Sequence, residues 1–184
     1  QSGSSLSPTN SYVSDDYFAL LNDSTDEITG DMDIGIGRLP VKSEEEANDM
    51  VNKIKQYYKI KTMGEWRNWL CFIGDDEDSN THMQQANSLA NDINNQYPEF
   101  NTQKIMMDAY QQESTPSGER YPEVNRAIFE RMKKGALIIN YSGHGNETGL
   151  AHEQILNTND ITSWDNFDKM PLFITATCEF GRFD

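Results

Sequence analysis

Two residues in this sequence have the types and settings that nucleophilic catalysis needs. Cys178 ends the run Leu172-Phe173-Ile174-Thr175-Ala176-Thr177, and His144 follows Ala136-Leu137-Ile138-Ile139-Asn140-Tyr141 between Gly143 and Gly145. A thiol attacks well only as its thiolate, so a cysteine nucleophile needs a base or a cation beside it. Glycines on both sides of the histidine let the backbone approach a ligand closely. The amides of Gly145 and Cys178 are candidates for an oxyanion hole. Taken singly, a histidine or a cysteine after a strand is more often structural or solvated than catalytic. At the ends of successive strands, 178 − 144 = 34 residues apart, the two make a candidate dyad. The second cysteine, Cys71, lies inside Trp69-Leu70-Cys71-Phe72-Ile73 and reads as a small packed hydrophobe. Two cysteines build no disulfide framework.

The elements that must hold these residues can be read from pattern. Residues 1–13 are polar and low in complexity, and read as a linker or appended segment ahead of the folded part. Ile34-Gly35-Ile36-Gly37-Arg38-Leu39-Pro40 reads as a short strand closed by proline. Ser43 with Glu46 forms a capping box, and Ala47, Met50, Val51, Ile54, Tyr57 and Tyr58 recur at helical spacing to about Lys61. A strand over 68–74 runs into the acidic loop Gly74-Asp75-Asp76-Glu77-Asp78. The second helix carries Met83, Ala86, Leu89, Ala90 and Ile93 on one face and stops before Pro98. A strand near 103–108, a Ser/Pro/Gly loop over 111–121 and a third helix from Pro122 to Gly135 follow. Strands over 136–141 and 171–177, with one helical turn near 160–166 between them, complete the order.

Strands that alternate with helices and are apolar throughout imply a mainly parallel sheet buried on both faces by helices. In such sheets, sites form beyond the carboxyl ends of the strands. Four polar loops meet there: 75–78, 111–121, the loop of His144 and the loop of Cys178.

Bulk properties narrow the partners. The formal net charge is −15 over 184 residues, which argues against nucleic acid, since phosphate neutralisation needs clustered Lys and Arg. Mean hydropathy is −0.75, and polar loops separate short apolar runs. No run approaches membrane-spanning length.

Asn140-Tyr141-Ser142-Gly143-His144-Gly145 and Thr175-Ala176-Thr177-Cys178 resemble the two catalytic blocks of the gingipain-like cysteine peptidases, peptidase family C25, of the clan that includes the caspases. Ile36-Gly37-Arg38-Leu39-Pro40-Val41, Lys53-Ile54 with Tyr57-Tyr58, and Trp69-Leu70-Cys71 extend the likeness. It implies a three-layer caspase-like α/β fold over residues 14–184, incomplete at its C-terminal end, with a partly built pocket and little activity in the chain alone. It implies His144 as base and Cys178 as nucleophile. It also implies an acid after the Cys71 strand that orients the histidine, where Asp76 is the first match and Asp75 the second. A solvated loop that binds calcium loosely is the other reading of these acids; no further cofactor and no catalytic metal are expected. Arginine-specific members carry an aspartate at the head of the second helix, where this chain has Thr81 or His82. Arginine specificity is therefore not implied. His82 either lines the pocket or caps the helix, Glu179 is a further pocket candidate, and His152 reads as a loop residue.

Within the family, Ser14-Asp15-Asp16-Tyr17-Phe18-Ala19-Leu20-Leu21, the acidic loop and Cys178-Glu179-Phe180-Gly181-Arg182-Phe183-Asp184 are most similar to the sortases of type IX secretion. That likeness implies an enzyme at the outer-membrane cell surface. It would cleave the C-terminal sorting domain from secreted cargo through a cysteine thioester and transfer the cargo to a lipopolysaccharide amine, alongside other secretion components. The alternatives are a secreted endopeptidase that hydrolyses its acyl-enzyme and a non-catalytic binding domain of the same fold.

Overall fold

A computed structural model of the protein describes residues 15–21 and 32–180. The linker reading of residues 1–13 and the likeness over 181–184 fall outside the described residues. The chain divides into two compact units, residues 1–50 with 183–184, and residues 51–182. Helix α1 (Glu44–Tyr57) crosses the boundary in sequence.

In the first unit, the Asp15 carboxylate takes two bonds from the Arg38 guanidinium, one of them 2.8 Å from Nε. That contact holds the Asp15 carboxyl below its ordinary value. The capping box at the start of α1 is half built. Glu46 N donates to Ser43 Oγ at 3.1 Å, but the Glu46 carboxylate reaches back to the amide of Lys42, at 2.6 Å, and not to that of Ser43. Residues 34–40, expected as a strand, form no strand ladder among the described residues. Alternate glycines weaken a strand because they offer no side chain to pack, and a Cβ on Gly35 or Gly37 would meet nothing within 4 Å.

The second unit is built on four parallel strands: β1 (Trp69–Gly74), β2 (Asn101–Met106), β5 (Ile138–Ser142) and β9 (Leu172–Ala176), ordered β2-β1-β5-β9. Helix α2 (Glu77–Gln96) lies on one face, where Ala86 and Ala90 pack with Leu70 and Phe72. Helix α3 (Pro122–Lys134) lies on the other, where Val124, Ile128 and Met132 pack with Cys71, Ile73, Ile139 and Tyr141. The glycine that ends β1 lets α2 sit close to the sheet: a Cβ on Gly74 would stand 2.7 Å from Met83 Cα. The expected α/β class and its three layers are therefore observed.

Four details differ from the pattern reading. Helix α1 ends at Tyr57, and a separate 3-10 turn, Ile60–Thr62, follows it, where Thr62 Oγ1 donates toward the carbonyls at the helix end. The loop 111–121 contains a small hairpin, β3 (Glu113–Thr115) and β4 (Gly118–Arg120), turning at Gly118 with φ 108°. The crossover from β5 to β9 carries an antiparallel sheet, β6 (Gly145–Asn146), β7 (Gly149–Leu150) and β8 (Leu156–Asn157), with α4 (Thr158–Thr162) after it. Strand β9 is also not buried on both faces. Phe173 packs into the α3-side core, while Leu172 and Ile174 are 59% and 42% exposed. Helix α2 packs mainly on β1 and β2 and less on β5.

Candidate active site

Sheet register fixes where the two catalytic candidates leave the fold. Ser142 of β5 pairs with Ala176 of β9, and the ladder runs one step further through Gly143 N to Ala176 O at 3.2 Å. His144 and Cys178 each lie two residues past that pair. Both therefore emerge from neighbouring parallel strands at the same carboxyl edge. Gly145 and Thr177 bring the two loops into contact, since a Cβ on Gly145 would stand 2.5 Å from Thr177 Oγ1. Cys178 is exposed, and the next residue, Glu179, has φ 56°, a left-handed turn that bends the chain so that Phe180 packs against the core.

The glycines beside His144 make room for close packing within the protein. A Cβ on Gly143 would collide with Asp75 and with the Tyr141 hydroxyl. The reason is Asp75 itself, which is 0% exposed. Its Oδ2 accepts the amide of His144 at 2.8 Å and the Tyr141 hydroxyl at 3.2 Å, and its Oδ1 accepts the amide of Glu77 at 3.2 Å. Asp75 N in turn donates to Ser142 O at 3.1 Å. This carboxylate ties the ends of β1 and β5 together and fixes the backbone of His144. Tyr141, wholly buried beside it, has its hydroxyl pushed well above the usual phenol range, by burial first and then by the Asp75 charge.

The imidazole of His144 is met by other acids. Its Nε2 stands 2.9 Å from Asp78 Oδ2 and 3.7 Å from Glu77 Oε2. Asp76, the first match by sequence, points elsewhere: its Oδ2 accepts the Tyr121 hydroxyl at 2.6 Å. Asp75 holds the histidine's backbone amide and not its ring. Asp78 reaches the ring because the chain departs from helical geometry there. Asp78, Ser79 and Asn80 all have positive φ, 50°, 56° and 65°, so α2 is broken at its head. Left-handed backbone costs roughly 1–2 kcal/mol per non-glycine residue, and such strain collects at functional sites.

Three histidines, the full complement of the chain, gather at this point. The His82 ring meets His144 edge to face at 5.2 Å between centroids, and His152 stacks on it at 5.6 Å with the planes 5° apart. His82 is half-buried in the first regular turn of α2 after the break, with Nε2 3.4 Å from Asp78 Oδ2. His152 is a loop residue, as expected, but not an isolated one: its Nδ1 lies 2.6 Å from Glu77 Oε1, a bond that raises its pKa above the ordinary 6.5. Nothing local in the sequence joins positions 82, 144 and 152. Their separation along the chain makes two of them read as bystanders.

Two groups here have the composition of metal ligands. Asp78, His82 and His144 offer one ligand atom each, all within 4.8 Å of one another. Asp75, Asp76 and Glu153 do the same with carboxylates alone, a set suited to a hard cation such as calcium, the other reading of the acidic loop. Glu153 is buried, and desolvation raises its pKa. Beside the cluster, Glu77, Glu119, Arg120 and His152 line a polar groove against the β3–β4 hairpin. The other cysteine, Cys71, sits in β1 at 1% exposure, and burial pushes its thiol up to about 12.

Residues 3–184 match the family model described as peptidase family C25. No curated protein matches the chain. Among solved structures, the crystal structure of gingipain R, an Arg-specific cysteine proteinase, is similar with a TM-score of 0.63 and 23% identity. The similarity covers 92% of this chain and 37% of that one, so this chain spans little more than a third of gingipain R's length. At that identity the likeness is one of fold.

Proposed function

The chain belongs to peptidase family C25, and on that premise we propose that it is the catalytic part of a cysteine peptidase with Cys178 as nucleophile and His144 as base. The observation that carries this reading is the register of β5 and β9, which sends His144 and Cys178 out two residues past one paired position. Asp78, 2.9 Å from Nε2, favours the tautomer protonated there, and so leaves Nδ1 as the free base. In this role Asp78, supported by Glu77, replaces Asp76 as the orienting acid.

The chemistry follows in two halves. Nδ1 of His144 takes the thiol proton, the Cys178 sulfur attacks the scissile carbonyl, and a tetrahedral oxyanion forms. The amides of Gly145 and Cys178 are its donors. Ala151 N donates to His144 O, and successive amides of a strand point to opposite sides, so the Gly145 N–H is directed away from β7. Collapse expels the amine, which takes the proton from His144, and leaves a thioester on Cys178. An incoming nucleophile then restores the thiol.

For that second half we favour an amine. The reading is a PorU-like sortase of type IX secretion at the outer-membrane surface, which removes the C-terminal sorting domain of cargo and passes the new carboxyl end to lipopolysaccharide. Its support is the similarity of Ser14–Leu21, the acidic loop and Cys178–Asp184 to such enzymes. His82, not a carboxylate, at the head of α2 argues against an arginine pocket. Hydrolysis by water is the competing outcome. Mass spectrometry of cargo carboxyl ends separates the two. Lipopolysaccharide-linked ends that vanish in Cys178→Ala cells support the sortase, and free carboxylates from the intact enzyme would leave a plain endopeptidase. Cargo processing unchanged by Cys178→Ala would remove the enzymatic reading altogether.

A further inference from the structure

A chain with only three histidines has brought all of them to one point, and two of them face a shared carboxylate oxygen. His144 Nε2 stands 2.9 Å from Asp78 Oδ2, and His82 Nε2 stands 3.4 Å from the same oxygen. Ligand atoms around a tetrahedral dication with bonds near 2.0–2.1 Å sit roughly 3.3 Å apart, so two of the three edges of a ligand triangle already have about that length. The third closes within 4.8 Å. His82 Nε2 is buried and makes no hydrogen bond among the described residues, although polar atoms buried this way usually find a partner. Its other ring nitrogen is 3.3 Å from Gln85 Oε1, the contact that fixes the tautomer and orientation of a metal-binding imidazole.

From this geometry we infer that Asp78, His82 and His144 form a binding site for a borderline transition-metal dication, with Zn2+ as the representative ligand. Two imidazoles and one carboxylate suit zinc and its neighbours, and not calcium or magnesium, which take oxygen ligands. The left-handed run at 78–80 turns the Asp78 carboxylate toward both rings, and the acidic residues around it raise the local cation concentration. Occupancy has a functional cost. The metal takes the Nε2 lone pair and forces the proton of His144 onto Nδ1, the atom that must accept the thiol proton. Bound zinc is therefore a reversible inhibitor of the enzyme. The inhibitory half of this inference rests on the role proposed above for His144; the binding half does not.

Calorimetric titration of the Cys178→Ala chain with Zn2+ alone tests the binding half, with the exposed thiol removed as a rival ligand. One equivalent is expected to bind, and Co2+ in its place should give visible d–d absorption. His82→Gln and Asp78→Asn should each weaken binding by about 100-fold or more, since loss of a direct ligand exceeds the 10–100-fold effect of its supporting contacts. Far-UV circular dichroism on both variants establishes that they fold. No binding to Cys178→Ala, or equal affinity in folded His82→Gln, overturns the site. Zinc inhibition of turnover in the intact enzyme tests the second half. Binding without inhibition would sink the regulatory claim, and an enzyme with no Cys178-dependent turnover would sink the proposed function while the site stands.

Discussion

His144 Nε2 lies 2.9 Å from Asp78 Oδ2, although Asp78 is not the acid that the family resemblance implies. The contact exists because three consecutive residues, Asp78 to Asn80, adopt left-handed backbone at the head of α2. Asp75, three positions earlier, is bonded to the same histidine's amide. One acidic loop thus positions both the backbone and the ring of His144, with different residues.

Asp78→Asn should slow the alkylation of Cys178 by iodoacetamide by at least about tenfold near neutral pH, since an orienting carboxylate sustains the proton transfer from thiol to imidazole. Asp76→Asn, whose carboxylate meets Tyr121, should change that rate much less. The pseudo-first-order rate for each variant decides between them. Equal slowing by both would return the orienting role to the loop as a whole.

The two thiols should separate cleanly. Native protein is expected to take one carbamidomethyl group, at Cys178, because Cys71 is buried and burial raises its pKa to about 12. Peptide mapping after alkylation with and without denaturant checks this. Labelling of Cys71 in the native state would contradict its place in the core.

Glu153 should make stability fall as pH rises. Burial, with Asp76 and Asp75 contributing, raises its folded pKa above the ordinary 4.5, so the native state holds its proton more tightly than the unfolded chain. The protonated state is then fully favourable below 4.5, and stability is lost as pH climbs from 4.5 through the raised folded value. Glu153→Gln should therefore denature at higher urea concentration than the parent at about pH 8, with the difference shrinking toward about pH 4. A parent no less stable than the variant at the higher pH would remove this assignment.

His152 also holds its proton more tightly when folded, but here the cause is an acidic partner and not burial. Glu77 raises its folded pKa above 6.5, so its contribution is complete below 6.5 and is lost as pH rises through the folded value. The side chain is largely exposed and the stability effect is small. Proton NMR of the His152 ring is the sharper measurement. Its midpoint should fall toward 6.5 in Glu77→Gln, and an unmoved midpoint would break the link between the two residues.

Gly143→Ala should destabilise by about 1–3 kcal/mol, the usual cost of overpacking, because the new methyl meets Asp75 and the Tyr141 hydroxyl. Chemical denaturation measures it. A neutral result would mean that the two loops have room to part.

Much of the architecture is legible in the residues themselves. The apolar run Trp69–Ile73 forms β1, the spacing of Ala86 and Ala90 gives α2 its sheet-facing side, and Pro122 and Gly135 bracket α3. The strands over 138–142 and 172–176 lie side by side, as the positions of His144 and Cys178 require. The failures are equally physical. Residues 34–40 have the composition of a strand but no ladder partner among the described residues, and a strand is a property of two segments. The run 171–177 predicts burial of Leu172 and Ile174, but burial depends on what covers a face, and α2 packs mainly on other strands.

The histidine and cysteine show where the division falls. Sequence alone determined that they occupy equivalent places, because strand order and chain direction follow from apolar runs, helical spacing and the handedness of crossovers. It could not determine which acid meets the imidazole or that His82 and His152 flank it. Those contacts join residues up to 75 positions apart, as Glu77 and His152 are, and depend on side-chain direction at a helix head with unusual dihedrals. Composition fixes which groups are available. Only the tertiary fold, by closing loops from four elements over one sheet edge, decides which of them touch.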